Sequence, residues 1–564
     1  MSLETPQKNE RTSLLPQVLL DPSQAPDTTE NLHFRAIDPR QFRWLLTCVI
    51  CAYTLAFFDS TLMASSHPVI TSYFHASNAA SWMSTVFYLT STVSQPLYGR
   101  ISDVIGRRPV YLFAIAMFGL ATGWCALAPT VGSFIAARAF CGFGAGGVIA
   151  MSGILISDVV KLEFRGIYQS YLNGSYGFGC GLGAALGGLL CDRLGWRAAF
   201  GIQIPFIAAF MVLALFSTPS HLGPNLAQSQ GVGMSGAFRS FDYLGAVVLT
   251  ITVTSCIMGI NLGGNVFPWT HPIVLISLLL FVIAAIVLVV VEKRATRPML
   301  PLPLLSTFPN GNLMWSNFFL TILTAAVMFN VPLFLQAVKQ MTPTASGLFM
   351  ISPLVGVSIF SVISGFFINK TREMKPMMVM GVLASLVGVT TSTLLAPNTP
   401  EWALVLLIPW ASIGQGFMFP STTVAALAVN DQGEQAMVIT TLNLVRNLGA
   451  IMGVATSSWI LQTSLPIYLQ NMVSGDDSVK REIIDHVRKS VAAIAGLSNE
   501  HKWEVIAAYS KALRTSFAFA FIFAGIAAFL VLPMKIPRLP RTGDEPPKVE
   551  CRGRSNSIVG VDHC

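Results

Sequence analysis

Asp59, Arg138 and Arg446 each stand inside a long apolar stretch, and His67 follows Asp59 by eight positions. Roughly sixteen uncharged residues precede Asp59 after Arg43, and no charge follows it until Arg100. An ionised carboxylate in hydrocarbon costs at least about 2.5 kcal/mol, so it must face protein or water and serve some purpose. In a cavity that opens alternately to two sides, a carboxylate of raised pKa can carry a proton one way and free a site for substrate. A carboxylate tied to neighbouring helices for structure alone is the other reading. Arg138 stays charged at any relevant pH, and it can snorkel to headgroups or pair with Asp59 and gate its protonation. Aromatics of the next apolar stretch (Trp82, Phe87, Tyr88) offer faces to a cation.

The elements that must hold these groups are membrane helices. Of 564 residues, 53% are hydrophobic and only 11% charged, which excludes an ordinary soluble enzyme. Apolar blocks of bilayer-crossing length lie at about 43–63, 79–99, 109–128, 132–157, 166–190, 197–217, 241–262, 272–291, 313–336, 345–368, 377–396, 402–428, 437–463 and 515–534. The expected fold is an all-α membrane protein of fourteen transmembrane helices, with His67 just past the first. Lys and Arg concentrate in one set of short loops (Arg100, Arg107, Arg108, Lys161, Arg165, Arg239, Lys293, Arg294, Arg297, Lys370, Arg372, Lys375). The opposite set holds Arg193, Arg197 and Lys339, so both termini are expected in the cytosol. The net charge of +8 follows from that topology and signals no nucleic-acid partner.

Residues 1–42 read as a disordered cytosolic tail and 535–564 as a second tail. No cleavable signal peptide is expected in the former. A loop at about 464–514 is expected on the luminal side. Its apolar positions Ile483, Ile484, Val487, Val491 and Ile494 recur at helical spacing, as in an amphipathic helix lying at the membrane surface. Most of the nine cysteines sit inside spans; Cys48 and Cys51 form a C-x-x-C without a partner pair, so neither metal nor redox chemistry is expected. No cofactor and no enzymatic constellation is expected either.

The chain repeats itself weakly: "GRISDVIGRRP" (99–109) echoes "GFFINKTREMKP" (365–376), and "RAFCGFGAGG" (138–147) echoes "WASIGQGFMFP" (410–420). Parallel repeats of this kind mark transporters. The stretch Gly99, Asp103, Gly106, Arg107 and Arg108 resembles the G-x-L-a-D-r-x-G-r-k loop of the major facilitator superfamily, in the loop where that family carries it. The resemblance implies a conformational latch, with Arg107 and Arg108 at lipid headgroups and Asp103 free to sit at a neighbouring helix N-terminus. Gly179, Gly183, Gly187 and Gly188 resemble the antiporter motif G-x-x-x-G-P-x-x-G-G, with Ala184 in place of its proline. Arg138 with Gly142 resembles R-x-x-q-G, with Cys141 for the Gln.

Four further pieces resemble the fourteen-span drug:proton antiporters. They are "FFDSTLMASSHPVI" (57–70), "GWRAAFGIQIP" (195–205), "FDYLGAVVLT" (241–250) and "NLVRNLGAIMGVA" (443–455), the last carrying Arg446. In texture the chain is most similar to fungal vacuolar basic amino acid transporters. The resemblance implies a six-helix half at 43–217, a linker at 218–312 with two extra central spans, and a second six-helix half at 313–534. It implies a monomer in the lipid bilayer that exchanges protons for small cationic solutes, namely lysine, arginine and histidine, from cytosol into vacuole. The alternative is multidrug or toxin efflux at the plasma membrane. Glu10, Leu14 and Leu15 fit the acidic dileucine pattern that sorting adaptors read, which agrees with the vacuole.

Overall fold

The computed structural model describes residues 37–74, 80–220, 242–263, 267, 269–295, 298, 300–430, 434–474 and 498–539, with single positions between 480 and 497. They form a bundle of long helices. These are α1 (Pro39–Tyr73), α2 (Ala80–Ile105), α3 (Arg107–Leu127), α4 (Val131–Val159), α5 (Arg165–Leu194), α6 (Gln203–Ser217) and α7 (Tyr243–Leu262). Then come α8 (Pro272–Arg294), α9 (Asn310–Leu333), α10 (Ile351–Thr371), α11 (Lys375–Leu394), α12 (Trp410–Val429), α13 (Gln435–Met472) and α14 (Asn499–Val531). Short helical turns lead into several of them, such as Trp196–Gly201 before α6. Helix is the form such a sequence must take, because hydrocarbon offers no partner to an unpaired peptide group.

Among the described residues twelve helices are long and apolar enough to cross a membrane. The helices α2 and α5 are 26 and 30 residues long but carry more polar and glycine positions. Their polarity has a cause: both are wedged between other helices. Helix α2 packs on α4 and α13, and α5 on α1 and α10.

The packing pattern repeats with an offset of eight helices. Contacts α1–α5, α2–α4, α3–α4, α1–α6 and α3–α6 reappear as α9–α13, α10–α12, α11–α12, α9–α14 and α11–α14. The pair α7 and α8 packs on itself and lies outside the repeat; α7 also touches α2 and α13. Glycines echo the symmetry. Gly144 of α4 abuts α3 and Gly146 abuts α2, while Gly414 of α12 abuts α11 and Gly416 abuts α10. Small residues let helices approach closely where no hydrophobic effect drives them together. Hydroxyls cross the same seams: Thr61 donates to the Cys180 carbonyl (3.1 Å), Ser94 to Phe143 (3.3 Å) and Ser358 to Gly174 (3.3 Å).

Three expectations are corrected. Helix α1 continues to Tyr73, so His67 lies within it and not beyond its end. Pro68 does not stop the helix, since neighbouring helices in a membrane bundle can satisfy the group that a proline frees. Likewise α13 runs to Met472 and α14 starts at Asn499, which shortens the expected 464–514 loop. Ile483, Ile484, Val487 and Ile494 of that loop are buried with Val505, Ile506 and Tyr509 of α14, and the Tyr509 hydroxyl donates to the Val487 carbonyl (3.2 Å). The extension of α14 supplies a protein wall, so these four positions are covered by protein and not laid on a bilayer surface; Val491 lies outside the described residues.

Candidate functional site

Asp59 of α1 and Arg138 of α4 are both fully buried and in contact, with Arg138 Nη1 donating to Asp59 Oδ2 at 2.6 Å. Of the two readings open for Arg138, pairing with Asp59 is the one this geometry has, in place of snorkelling. Its guanidinium sits 4.3 Å from the ring centroid of Phe87 and 5.8 Å from that of Phe200. Two further groups reach the carboxylate. Cys141 Sγ lies 3.6 Å from Oδ2, and Gln203 Nε2 donates to Oδ1 at 3.4 Å. Gln203 stands in the "GWRAAFGIQIP" motif where the resembled antiporters carry Asn, and nothing in that motif pointed to Asp59 as its partner. In the same motif Trp196 packs on Phe134, and Arg197 caps the Ala128 carbonyl (3.1 Å).

Between the two repeats lies a cavity of about 260 Å³. Helices α1, α2, α4 and α5 line one side, through residues such as Tyr53, Phe57, Tyr88, Gln95, Asn173 and Tyr176. Helices α9, α12 and α13 line the other, through Thr321, Gln415, Phe419, Asn443, Arg446 and Asn447. Asp59 is turned aside from the lining face of α1, which carries Tyr53, Ala56, Phe57 and Ser60. Phe87 touches both places, lining the cavity while holding Arg138 over its ring. The side chains of His67 and Trp82 lie outside the described residues.

Arg446 is held by neutral groups. Its Nε donates to Asn317 Oδ1 (3.0 Å), and its Nη2 donates to the Phe419 carbonyl (3.0 Å), Thr422 Oγ1 (3.1 Å) and Thr423 Oγ1 (3.0 Å). The guanidinium also stacks 4.1 Å from the centroid of Phe419. Of these partners the sequence marked none, because they come from two other helices.

The expected latch lies at the arginine-rich end. Gly106 has φ 104°, a value glycine tolerates, and breaks α2 from α3. Arg107 is not at the headgroups: it is buried, with Nη1 on Asp103 Oδ1 (2.6 Å) and Ser102 Oγ (2.7 Å) and Nε on Asp158 Oδ2 (2.7 Å). Two carboxylates converge on it, which draws it inward. Arg108 is half-buried and donates to the Leu215 carbonyl (2.7 Å). The repeats meet here. A side chain at Gly99 would come within 2.8 Å of Thr440 on α13, and Arg100 donates to the Pro298 carbonyl.

The glycines of α5 divide between two neighbours. Gly179 and Gly183 press against the backbone of α1 at Thr54 and Phe58, while Gly177 and Gly181 face Leu354 of α10. Gly187 is buried, and the surroundings of Gly188 and Ala184 lie outside the described residues, as do Glu10, Leu14 and Leu15.

Two structural repeats around a central cavity are the arrangement of a transporter. Residues 49–454 match the profile described as Major Facilitator Superfamily. The chain belongs to the major facilitator superfamily. Members of this superfamily are transporters, not enzymes. This major facilitator chain is 32% identical to a multidrug resistance protein of Schizosaccharomyces pombe, over 83% of its own length and 88% of that relative. It is 28% identical to vacuolar basic amino acid transporter 2 of Saccharomyces cerevisiae, over 80% of its own length and 97% of that relative. Among solved structures, the human organic anion transporter MFSD10 superposes with a TM-score of 0.58 at 13% identity, covering 88% of this chain and all of that one; this is likeness of fold.

Proposed function

We propose that this transporter is a proton-coupled antiporter that moves small cationic solutes, chiefly lysine, arginine and histidine, from the cytosol into the vacuole. The observation that carries this reading is the central cavity. Its wall offers aromatic faces suited to ammonium and guanidinium groups. The vacuolar relative named above supports both substrate and compartment. Asp59 is the proton carrier in this reading, and Arg138 the partner that sets when it ionises. A gradient of about two pH units supplies about 2.7 kcal/mol per proton, enough for roughly hundredfold accumulation by electroneutral exchange. Efflux of drugs at the plasma membrane is a second reading, favoured by the multidrug resistance relative.

All fourteen helices cross the bilayer in this reading. The repeated packing supports two six-helix halves at 43–217 and 313–534, with α7 and α8 as the extra pair between them. The arginine-rich end and both termini face the cytosol. The test is uptake of labelled lysine, arginine and histidine into vacuolar vesicles, with and without a proton uncoupler. Uncoupler-sensitive uptake above that of vesicles lacking the protein is expected. Export of lipophilic cations with no amino acid uptake would select the drug reading instead.

A further inference from the structure

Among the described residues that line the central cavity, Arg446 carries the one formal charge. Its side chain is nine-tenths buried, and no carboxylate lies within ion-pairing distance of it among the described residues. An isolated cation in a membrane domain is costly, and four hydrogen bonds to neutral oxygens lower that cost without cancelling the charge. Those bonds occupy Nε and Nη2. Nη1 has no hydrogen-bond partner among the described residues. The guanidinium is fixed in orientation by the Phe419 ring beneath it and the Asn317–Thr422–Thr423 cradle. Asn443 and Asn447 lie one turn before and one position after Arg446, on the same lining face of α13. Amides there can donate to an anion from both sides.

A solute that is only a cation meets the aromatic wall but enters against the Arg446 charge and has nothing to offer it. A solute with a carboxylate at one end gains a charge-assisted hydrogen bond at Nη1, a strong class of contact in a site of low dielectric. The opposite wall carries Tyr53, Phe57, Tyr88 and Tyr176, whose faces and hydroxyls suit an ammonium.

We propose that Arg446 anchors a carboxylate-binding subsite, with Nη1 and the amides of Asn443 and Asn447 taking the carboxylate of an amino acid and the aromatic wall taking its cationic end. The cationic end rests on the basic amino acid reading above; the carboxylate end does not.

The experiment is thermal unfolding of the purified full-length protein titrated with L-lysine, L-lysinamide, cadaverine and L-leucine. The first three share the cationic side chain but only lysine has the carboxylate, and leucine has the carboxylate without a cationic side chain. Lysine is expected to stabilise at concentrations at least tenfold below those needed for lysinamide or cadaverine. Arg446→Gln should erase that difference, and Arg446→Lys should keep part of it. Because the wild-type preference is read without any substitution, a poorly folding variant leaves the test intact. Lysinamide or cadaverine matching lysine in the wild type would overturn the subsite, as would a carboxylate preference that survives in Arg446→Gln, or no stabilisation by any of the four. Arg446-dependent stabilisation by leucine but not by lysine would keep the subsite and remove the basic amino acid reading.

Discussion

Arg138 Nη1 lies 2.6 Å from Asp59 Oδ2, with both side chains sealed from solvent and Phe87 set between the pair and the cavity. Taking up a proton at Asp59 therefore means breaking a buried ion pair. A buried pair is weak evidence for stability but strong evidence that neither member can be lost alone, since removing one partner costs about 3–5 kcal/mol.

Asp59→Asn on its own should lower protein level and thermal stability together with transport, because Arg138 is left uncompensated. The double variant Asp59→Asn with Arg138→Gln removes both charges and should regain most of the stability. If Asp59 carries the coupling proton, the double variant folds yet shows no uncoupler-sensitive accumulation. Vesicle uptake normalised to protein level decides it. Accumulation near wild type in the double variant would make the pair structural.

The glycines of α5 give a prediction about packing that is independent of transport. An added methyl at Gly179 or Gly183 would fall inside van der Waals contact of the Thr54 or Phe58 carbonyl oxygen on α1. At Gly181 the nearest atom is Leu354 Cδ1, 3.9 Å away. Gly179→Ala and Gly183→Ala should each cost about 1–3 kcal/mol by overpacking. Gly181→Ala should be neutral or stabilising by up to about 1 kcal/mol, as Ala replaces Gly within a helix. Unfolding midpoints in detergent test the ranking, and equal effects at all three positions would refute the assignment of faces.

Much of this arrangement was legible in the sequence, for a physical reason: charge inside an apolar block is so costly that each instance marks something. Asp59, Arg138 and Arg446 stood out on that ground alone, and pairing of the first two was one of the readings open. The partners of Arg446 did not stand out. Asn317, Thr422 and Thr423 are neutral, common in membrane helices and far from it in sequence, so they become a cradle only when α9, α12 and α13 meet. Gln203 was visible as a motif position, but its approach to Asp59 was hidden for the same reason. The misplacement of Arg107 had another source: a basic residue after a span reads as a headgroup contact unless Asp158, some fifty positions on, is known to approach it.

Leu14 and Leu15 test the compartment. Replacing both with Ala should shift a fluorescent fusion from the vacuolar membrane to the cell surface, because adaptor recognition of a dileucine needs both apolar side chains. An unchanged distribution would leave the vacuolar reading to rest on the relatives.

The Asp103–Arg107–Asp158 cluster separates a latch from a topology signal. Arg107 is balanced by two carboxylates, so its members are not equivalent. Asp103→Asn keeps the size and one acceptor oxygen, and Arg107 retains Asp158 at 2.7 Å. The stability cost should be about 1 kcal/mol, that of one weakened hydrogen bond. Arg107→Met instead leaves Asp158 without its cation and Asp103 with only the more distant Arg100 at 4.0 Å, and the cost should reach about 3–5 kcal/mol. Thermal unfolding of the two purified variants should therefore differ widely. Transport should not follow that ranking if the cluster is a latch. It sits where Gly99 meets Thr440 and Arg100 reaches the Pro298 carbonyl, at the seam that must open and close in every cycle. Asp103→Asn should then slow uptake several-fold in a protein that is almost as stable as wild type. Uptake at the wild-type rate, with insertion unchanged, would mean that the loop only fixes which end of the bundle faces the cytosol.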